Sequence, residues 1–206
     1  MDMERISRVG IRAAYRAGEI LNDFFNRSFK VSKKGDIDLV TEADVASEQA
    51  VIATISDSFP DHAILAEESG GSGGAGPYEW IIDPLDGTTN FAHRLPLFAV
   101  SIACRLETQM IFGCVFNPVN NELFSAVRGQ GAQLNGQPVC TSRVGTVAES
   151  LLVTGFPYTV RTIAPEAILS RFTRCLTAAQ GVRRLGSAAL DLCCVACGRF
   201  DGFWEE

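Results

Sequence analysis

The sequence predicts a layered fold that combines an α+β part with an α/β part. Three observations carry this: two amphipathic helical patterns at the start, a meander of strand-like runs in the middle, and strand and helix patterns that alternate after about residue 145. Ile6, Val9, Ala13, Ala17, Ile20 and Phe24 recur at three- and four-residue steps, which predicts the first helix. A short link, Lys33-Lys34-Gly35-Asp36, follows. A second helix is expected over 41–58, with Val45, Ile52, Ile55 and Phe59 as its apolar stripe and Pro60 as its stop. Residues 63–66 read as a buried strand running into Glu67-Glu68. The Gly/Ser-rich stretch 69–77 is a flexible loop by composition, either a plain linker or a hairpin near the candidate site. Strand-like runs cover 78–82, 98–105, 110–116 and 122–127, and Asn135-Gly136 is a hairpin turn signal. Beyond residue 145, strands are expected at 151–154, 182–185 and 200–204, with helices at 164–178 and 187–197.

Composition narrows the function classes. In 206 residues, 47% are hydrophobic and 20% charged, which is globular and excludes disorder, collagen and coiled coil. No apolar run approaches the roughly 18 residues of a membrane span. The start, Met1-Asp2-Met3-Glu4-Arg5, lacks the apolar stretch of a signal peptide, so a cytoplasmic protein without membrane partners is expected. A net charge of −6 without any Lys/Arg block argues against nucleic-acid binding. It also argues mildly against a phosphorylated substrate, unless a bound divalent cation reverses the local field. Seven cysteines, an odd number, do not suggest a disulfide framework, and Cys194-Val195-Ala196-Cys197 has no second pair to complete a zinc site. His62 and His93 have no zinc spacing and are expected to be non-catalytic.

The most informative stretch is Trp80-Ile81-Ile82-Asp83-Pro84-Leu85-Asp86-Gly87-Thr88-Thr89-Asn90-Phe91. An apolar strand ends in an acid, Pro and Gly force a tight turn, and a second acid follows three residues after the first. Two carboxylates held at a strand end can share hard cations, and magnesium suits such oxygen ligands. Gly87-Thr88-Thr89-Asn90 reads as a helix start whose free N–H groups would face an anion. Cations beside an anion hole describe a phosphate site. Glu67 and Glu68 end the preceding strand and could meet the aspartates at a common sheet edge. Thr41 and Asp44 form a weak capping-box pattern that helix capping alone explains. A phospho-aspartyl enzyme fits less well, because its two acids are spaced one residue closer. A nucleophile elbow, a P-loop and an EF-hand ladder are all missing.

With these segments together, the sequence resembles the inositol monophosphatase family of magnesium-dependent, lithium-sensitive phosphatases. The matching segments are Asp38-Leu39-Val40-Thr41-Glu42-Ala43-Asp44, Ala66-Glu67-Glu68-Ser69 and the aspartate motif through His93. Gly186-Ser187-Ala188-Ala189 and Asp201-Gly202-Phe203-Trp204-Glu205 also match. The resemblance implies a carbohydrate-phosphatase-like α-β-α-β-α sandwich that binds two or three Mg²⁺ ions. Glu67, Asp83, the Leu85 carbonyl and Asp86 would hold metal, and Glu68 would stand behind them. Thr88, supported by Asp44, would orient the attacking water. The N–H groups of Gly87 and Thr88 would hold phosphate oxygens, with Asp86 also at the substrate. Gly186, Ser187, Ala188 and Glu205 would contact the alcohol. Lys33 or Lys34 would lie on a loop near the metals.

The implied activity is hydrolysis of inositol monophosphate or a related sugar or polyol phosphate, with a homodimer as assembly. A fructose-1,6-bisphosphatase-like activity is the alternative. Residues 1–145 would form the domain with the metal and phosphate site, and 146–206 a C-terminal α/β domain. The family's Trp-Asp motif, which supplies a further metal-binding aspartate, is expected after Glu205 and does not occur before Glu206. The C-terminal layer is therefore expected to be incomplete, and a catalytically impaired fragment stands as a second alternative. Asp191 and Asp201 fall elsewhere in the matching segments and offer no substitute.

Overall fold

The computed structural model describes residues 2–28, 30–33, 39–74, 76–157 and 165–205. Helix α1 (Met3–Phe25) buries Ile6, Val9, Ala13, Ala17 and Leu21, and Asp2 caps its start by accepting from the Arg5 N–H. The buried stripe ends on Leu21, while Ile20 and Phe24 are only half-buried. Strands β1 (Val31–Lys33) and β2 (Leu39–Thr41) pair antiparallel and lead into helix α2 (Glu42–Ser58). The expected stripe of α2 is corrected. Val45 is 42% exposed, and the inward face is Ala43, Asp44, Ser47, Glu48, Val51 and Ile55. Three polar side chains hold core positions because this face meets the site, and a polar inward face is invisible to an apolar-periodicity rule.

Both helices lie on an eight-stranded sheet. Its strands are β3 (Ala63–Ala66), β4 (Gly70–Ser72), β5 (Tyr78–Asp86), β6 (Ala99–Leu106), β7 (Gln109–Asn117), β8 (Glu122–Val127), β9 (Gly131–Leu134) and β10 (Gln137–Pro138). The order is β10-β9-β8-β7-β6-β5-β3-β4. Part of the stretch expected to be a loop is the edge strand β4, paired antiparallel with β3. Asn135 and Gly136, with φ of 49° and 78°, make the tight β9–β10 turn. Helix α1 approaches β7 closely: a Cβ on Gly10 or Gly18 would lie 2.3 Å from Phe112 or 2.4 Å from Phe116.

A second sheet of three parallel strands has the order β12-β11-β13, with β11 (Leu151–Thr154), β12 (Gly181–Arg183) and β13 (Gly202–Trp204). Helix α4 (Pro165–Ala178) packs on β12, and helix α5 (Ala188–Ala196) touches β6 and β7 as well as β11 and β13, so it lies between the sheets. Ala164, the expected first residue of α4, lies outside the described residues. The architecture is the layered α/β sandwich the sequence implied.

The pairing that matters most for function is β3 with β5. Among the described neighbours in the large sheet it is parallel, with Ala66 opposite Ile82. Parallel neighbours run the same way, so Glu67, just past the end of β3, comes beside Asp83, where the pairing of β5 with β3 stops while β5 runs on to Asp86 against β6. The Glu67 N–H donates to the Ile82 carbonyl at 3.2 Å.

Candidate metal and phosphate site

Beyond Ile82 the register of β5 against β6 shifts between Asp83 and Asp86. The turn is pinned from three sides. The Leu85 N–H donates to Asp83 Oδ1 at 3.0 Å, the Ser47 hydroxyl donates to the Pro84 carbonyl at 2.9 Å, and the Leu85 side chain is buried. Gly87 has φ of 93°, and a Cβ there would lie 2.8 Å from the Leu97 carbonyl oxygen, so only glycine fits. Helix α3 (Thr88–Ala92) then carries Phe91 into the core, with its ring 4.9 Å from Phe98. The motif's phenylalanine is thus the anchor that fixes its polar half.

Burial raises Asp83 well above the usual carboxylate range. The Asp86 and Glu67 charges and a side-chain hydrogen bond with Glu67 add to the effect. Burial also raises Asp86, against the donors it collects. Carboxylates pressed together in this way need a proton or a cation. The donor set is all oxygen, which suits magnesium. Among the described residues, no three acidic, His or Cys side chains form a ready-made cage. Magnesium is commonly held by one or two carboxylates together with waters and substrate phosphate, so this donor set fits it.

Asp44 has two tasks. Its Oδ2 accepts from the Thr41 N–H at 2.8 Å and the Thr41 hydroxyl at 2.5 Å, completing the capping box of α2. Its Oδ1 lies 3.4 Å from the Thr88 hydroxyl. That hydroxyl has one proton and a nearer acceptor, the Leu85 carbonyl at 3.0 Å. Burial raises Asp44 to about 6, mainly by desolvation.

Glu48 supports the other half of the site. Its carboxylate accepts from the Glu68 N–H at 2.8 Å and the Ser69 N–H at 2.9 Å, tying the turn after Glu67 to α2. Hydrogen bonds to a charged acceptor each contribute about 1.5–3 kcal/mol. Glu48→Ala is therefore expected to lower the melting temperature and to weaken divalent-ion binding about 10–100-fold, because the turn bearing Glu67 is released. A magnesium titration that matches wild type would remove this role.

Asp86 joins the two sheets. Its Oδ2 accepts from the Ser187 hydroxyl at 2.5 Å and the Ala189 N–H at 2.8 Å, at the start of α5. The Asn90 amide adds a second tie, donating to the carbonyls of Leu97 at 2.7 Å and Leu185 at 2.8 Å, next to Gly186. Ser187 caps α5 through the Leu190 N–H, with Ala188 the first helical residue. The Glu205 carboxylate lies against the backbone at Gly155, and Asp86 and Arg184 both act on it electrostatically. Asp191 also faces Asp86, Arg184 and Glu205. The structure therefore brings Glu67, Asp83, Leu85, Asp86, Thr88 and Asp44 together, with Gly186, Ser187, Ala188 and Glu205 across the joint.

Lys34 and Asp38 lie outside the described residues, and of Lys33 only the backbone is described. His62 accepts from the Trp80 indole N–H at 3.0 Å and stacks between Phe59 and Tyr78, a packing role away from the carboxylates. Ser47 and Glu48 were missed by sequence reasoning, and Asp191 was named there only as no substitute for the missing aspartate. For Asp191 the signal was an acid within an otherwise apolar helix, whereas the polar inward face of α2 gave none for Ser47 and Glu48.

The raised carboxyls fix the sign of the metal-free pH dependence. A group whose folded pKa exceeds its unfolded value, ~3.9 for Asp, stabilises below that value and loses this contribution as pH rises. Asp44, raised to about 6, and Asp191, raised to about 7, both follow this rule. In chelator, the melting temperature is expected to fall between about pH 4 and pH 8. A melting temperature that climbs over this range would contradict the assignment.

Residues 2–206 match the model of the inositol monophosphatase family. The chain is 43% identical to Nus factor SuhB of Pseudomonas aeruginosa and 44% identical to Nus factor SuhB of Escherichia coli K12, covering 98% of this chain and 77% of each relative. Among solved structures, extragenic suppressor protein suhB of Bartonella henselae superposes with a TM-score of 0.94 at 37% identity, covering 98% of this chain and 78% of that one. Inositol monophosphatase from Anabaena (Nostoc) gives 0.89 at 42% identity, covering 100% of this chain and 76% of that one.

Proposed function

The chain belongs to the inositol monophosphatase family, and from that premise we propose that it is a Mg²⁺-dependent phosphomonoesterase acting on inositol monophosphate or a related sugar or polyol phosphate. Several relatives are named Nus factors rather than phosphatases, so the reading rests on this chain's own site. The observation that supports it most is the parallel β3–β5 pairing, which sets Glu67 beside Asp83 with Asp86 three residues further on. Glu67, Asp83, the Leu85 carbonyl and Asp86 would hold two or three magnesium ions. When bound, such ions supply a water of lowered pKa and positive charge for the leaving oxygen.

The remaining steps belong to the protein. The Thr88 hydroxyl, within reach of both Asp44 and the Leu85 carbonyl, would orient the attacking water, with Asp44 as the acceptor of its proton when the Leu85 carbonyl serves a metal. The Gly87 and Thr88 N–H groups take phosphate oxygens. Glu205 and the backbone of Gly186, Ser187 and Ala188 hold the alcohol. Phosphoryl transfer passes through a loose transition state, so fixed charge and position supply most of the rate. The partner is a small phosphate monoester, with a homodimer as the assembly, in the cytoplasm.

Phosphate release from inositol 1-phosphate, other polyol monophosphates and fructose 1,6-bisphosphate tests the reading. Release from a polyol monophosphate that needs Mg²⁺ and stops in chelator supports it. Release that is indifferent to chelator, or none from the whole panel, counts against it.

A further inference from the structure

Asp191 is a buried acid that the site described above leaves without a task. It stands in the first turn of α5 between Leu190 and Leu192, is 1% exposed, and its Oδ1 has no hydrogen-bond partner among the described residues. A buried carboxylate without partners is strongly unfavourable, and a native chain that keeps one generally has a partner for it. The groups facing it are Asp86, Glu205 and Arg184. Arg184 does not complete it, since its guanidinium is turned towards Gly186. With Asp191 itself, three acids against one cation leave the pocket short of positive charge.

Helical spacing explains the placement. Asp191 comes four residues after Ser187, so it lies on the face of α5 whose first turn holds Asp86. Asp86 gives Oδ2 to Ser187 and Ala189. The same carboxylate also takes a hydrogen bond from the Ala188 backbone, and an ion held at Asp86 would sit beside these donors. The missing complement of Asp191 is therefore a donor carried by a cation at Asp86.

We propose that Asp191 is a positioning residue for the divalent ion held at Asp86, accepting a hydrogen bond from that ion's water. This rests on the metal reading above and gives Asp191 a supporting role at Asp86, distinct from the one the resemblance implies for Glu68. It also explains why an acid occupies an otherwise apolar helix, since the ion it serves offsets its burial.

The test is a calorimetric Mn²⁺ titration, with thermal melts in chelator, of wild type, Asp191→Leu and Asp191→Asn. Asp191→Leu is expected to weaken one class of bound ion about 10–100-fold. Asp191→Asn, which keeps an acceptor oxygen, should fall between it and wild type. In chelator both variants should melt at or above wild type, because an unpartnered buried charge is gone. Wild-type affinity in Asp191→Leu overturns the proposal, as does a variant that is unfolded or less stable in chelator. A wild-type chain that binds no Mn²⁺ overturns the metal reading beneath it instead.

Discussion

Asp83→Asn is expected to lower turnover by on the order of a thousandfold, the rate equivalent of several kcal/mol of lost charge stabilisation. Asp86 and Glu67 both act on the Asp83 carboxylate, and Glu67 also shares a hydrogen bond with it. An amide removes the charge that would draw two ions to the same oxygen pair. The fold should survive, because the Asn oxygen can still accept the Leu85 N–H that now binds Asp83 Oδ1. In chelator the variant should melt above wild type, since repulsion in a buried acid cluster is reduced. Loss of activity with raised metal-free stability separates a ligand from a structural residue. Near-normal turnover would end the shared-ligand role.

Thr88→Ala is expected to reduce kcat about 100-fold with little change in KM, as befits a group that acts on the water and not on the bound ester. The hydroxyl lies 3.0 Å from the Leu85 carbonyl and 3.4 Å from Asp44, so its proton has a choice that ligand binding settles. Thr88→Ser keeps the proton and should recover most of the loss. An effect confined to KM, or no recovery by serine, would move Thr88 out of this role.

The strand-end motif was legible because its residues are local. Pro84, Gly87 and two acids within one turn mark a tight turn and a candidate phosphate site from sequence alone. The partnership of Glu67 with Asp83 was legible only as a possibility, since it depends on β3 and β5 being parallel and in register. Helix α2 was half-read. Thr41 and Asp44 announced its cap, but its inward face is polar where it meets the turn, and Val45 was taken for core in place of Ser47 and Glu48. Asp86 shows a different limit. It reads in sequence as a metal ligand, and it also receives the start of α5, about a hundred residues away in sequence. Contacts of that range follow from how the two sheets dock, which no local pattern encodes. Asp191 was set aside for the same reason.

The most direct measurement is phosphate release from a polyol monophosphate against Mg²⁺ concentration, with wild type and Asp83→Asn compared in one experiment. The expected result is release that rises from zero with Mg²⁺ in wild type and stays near background in the variant at every concentration. Equal release from both proteins, or release from wild type without any divalent ion, would contradict a site in which the strand-end carboxylates work by holding metal.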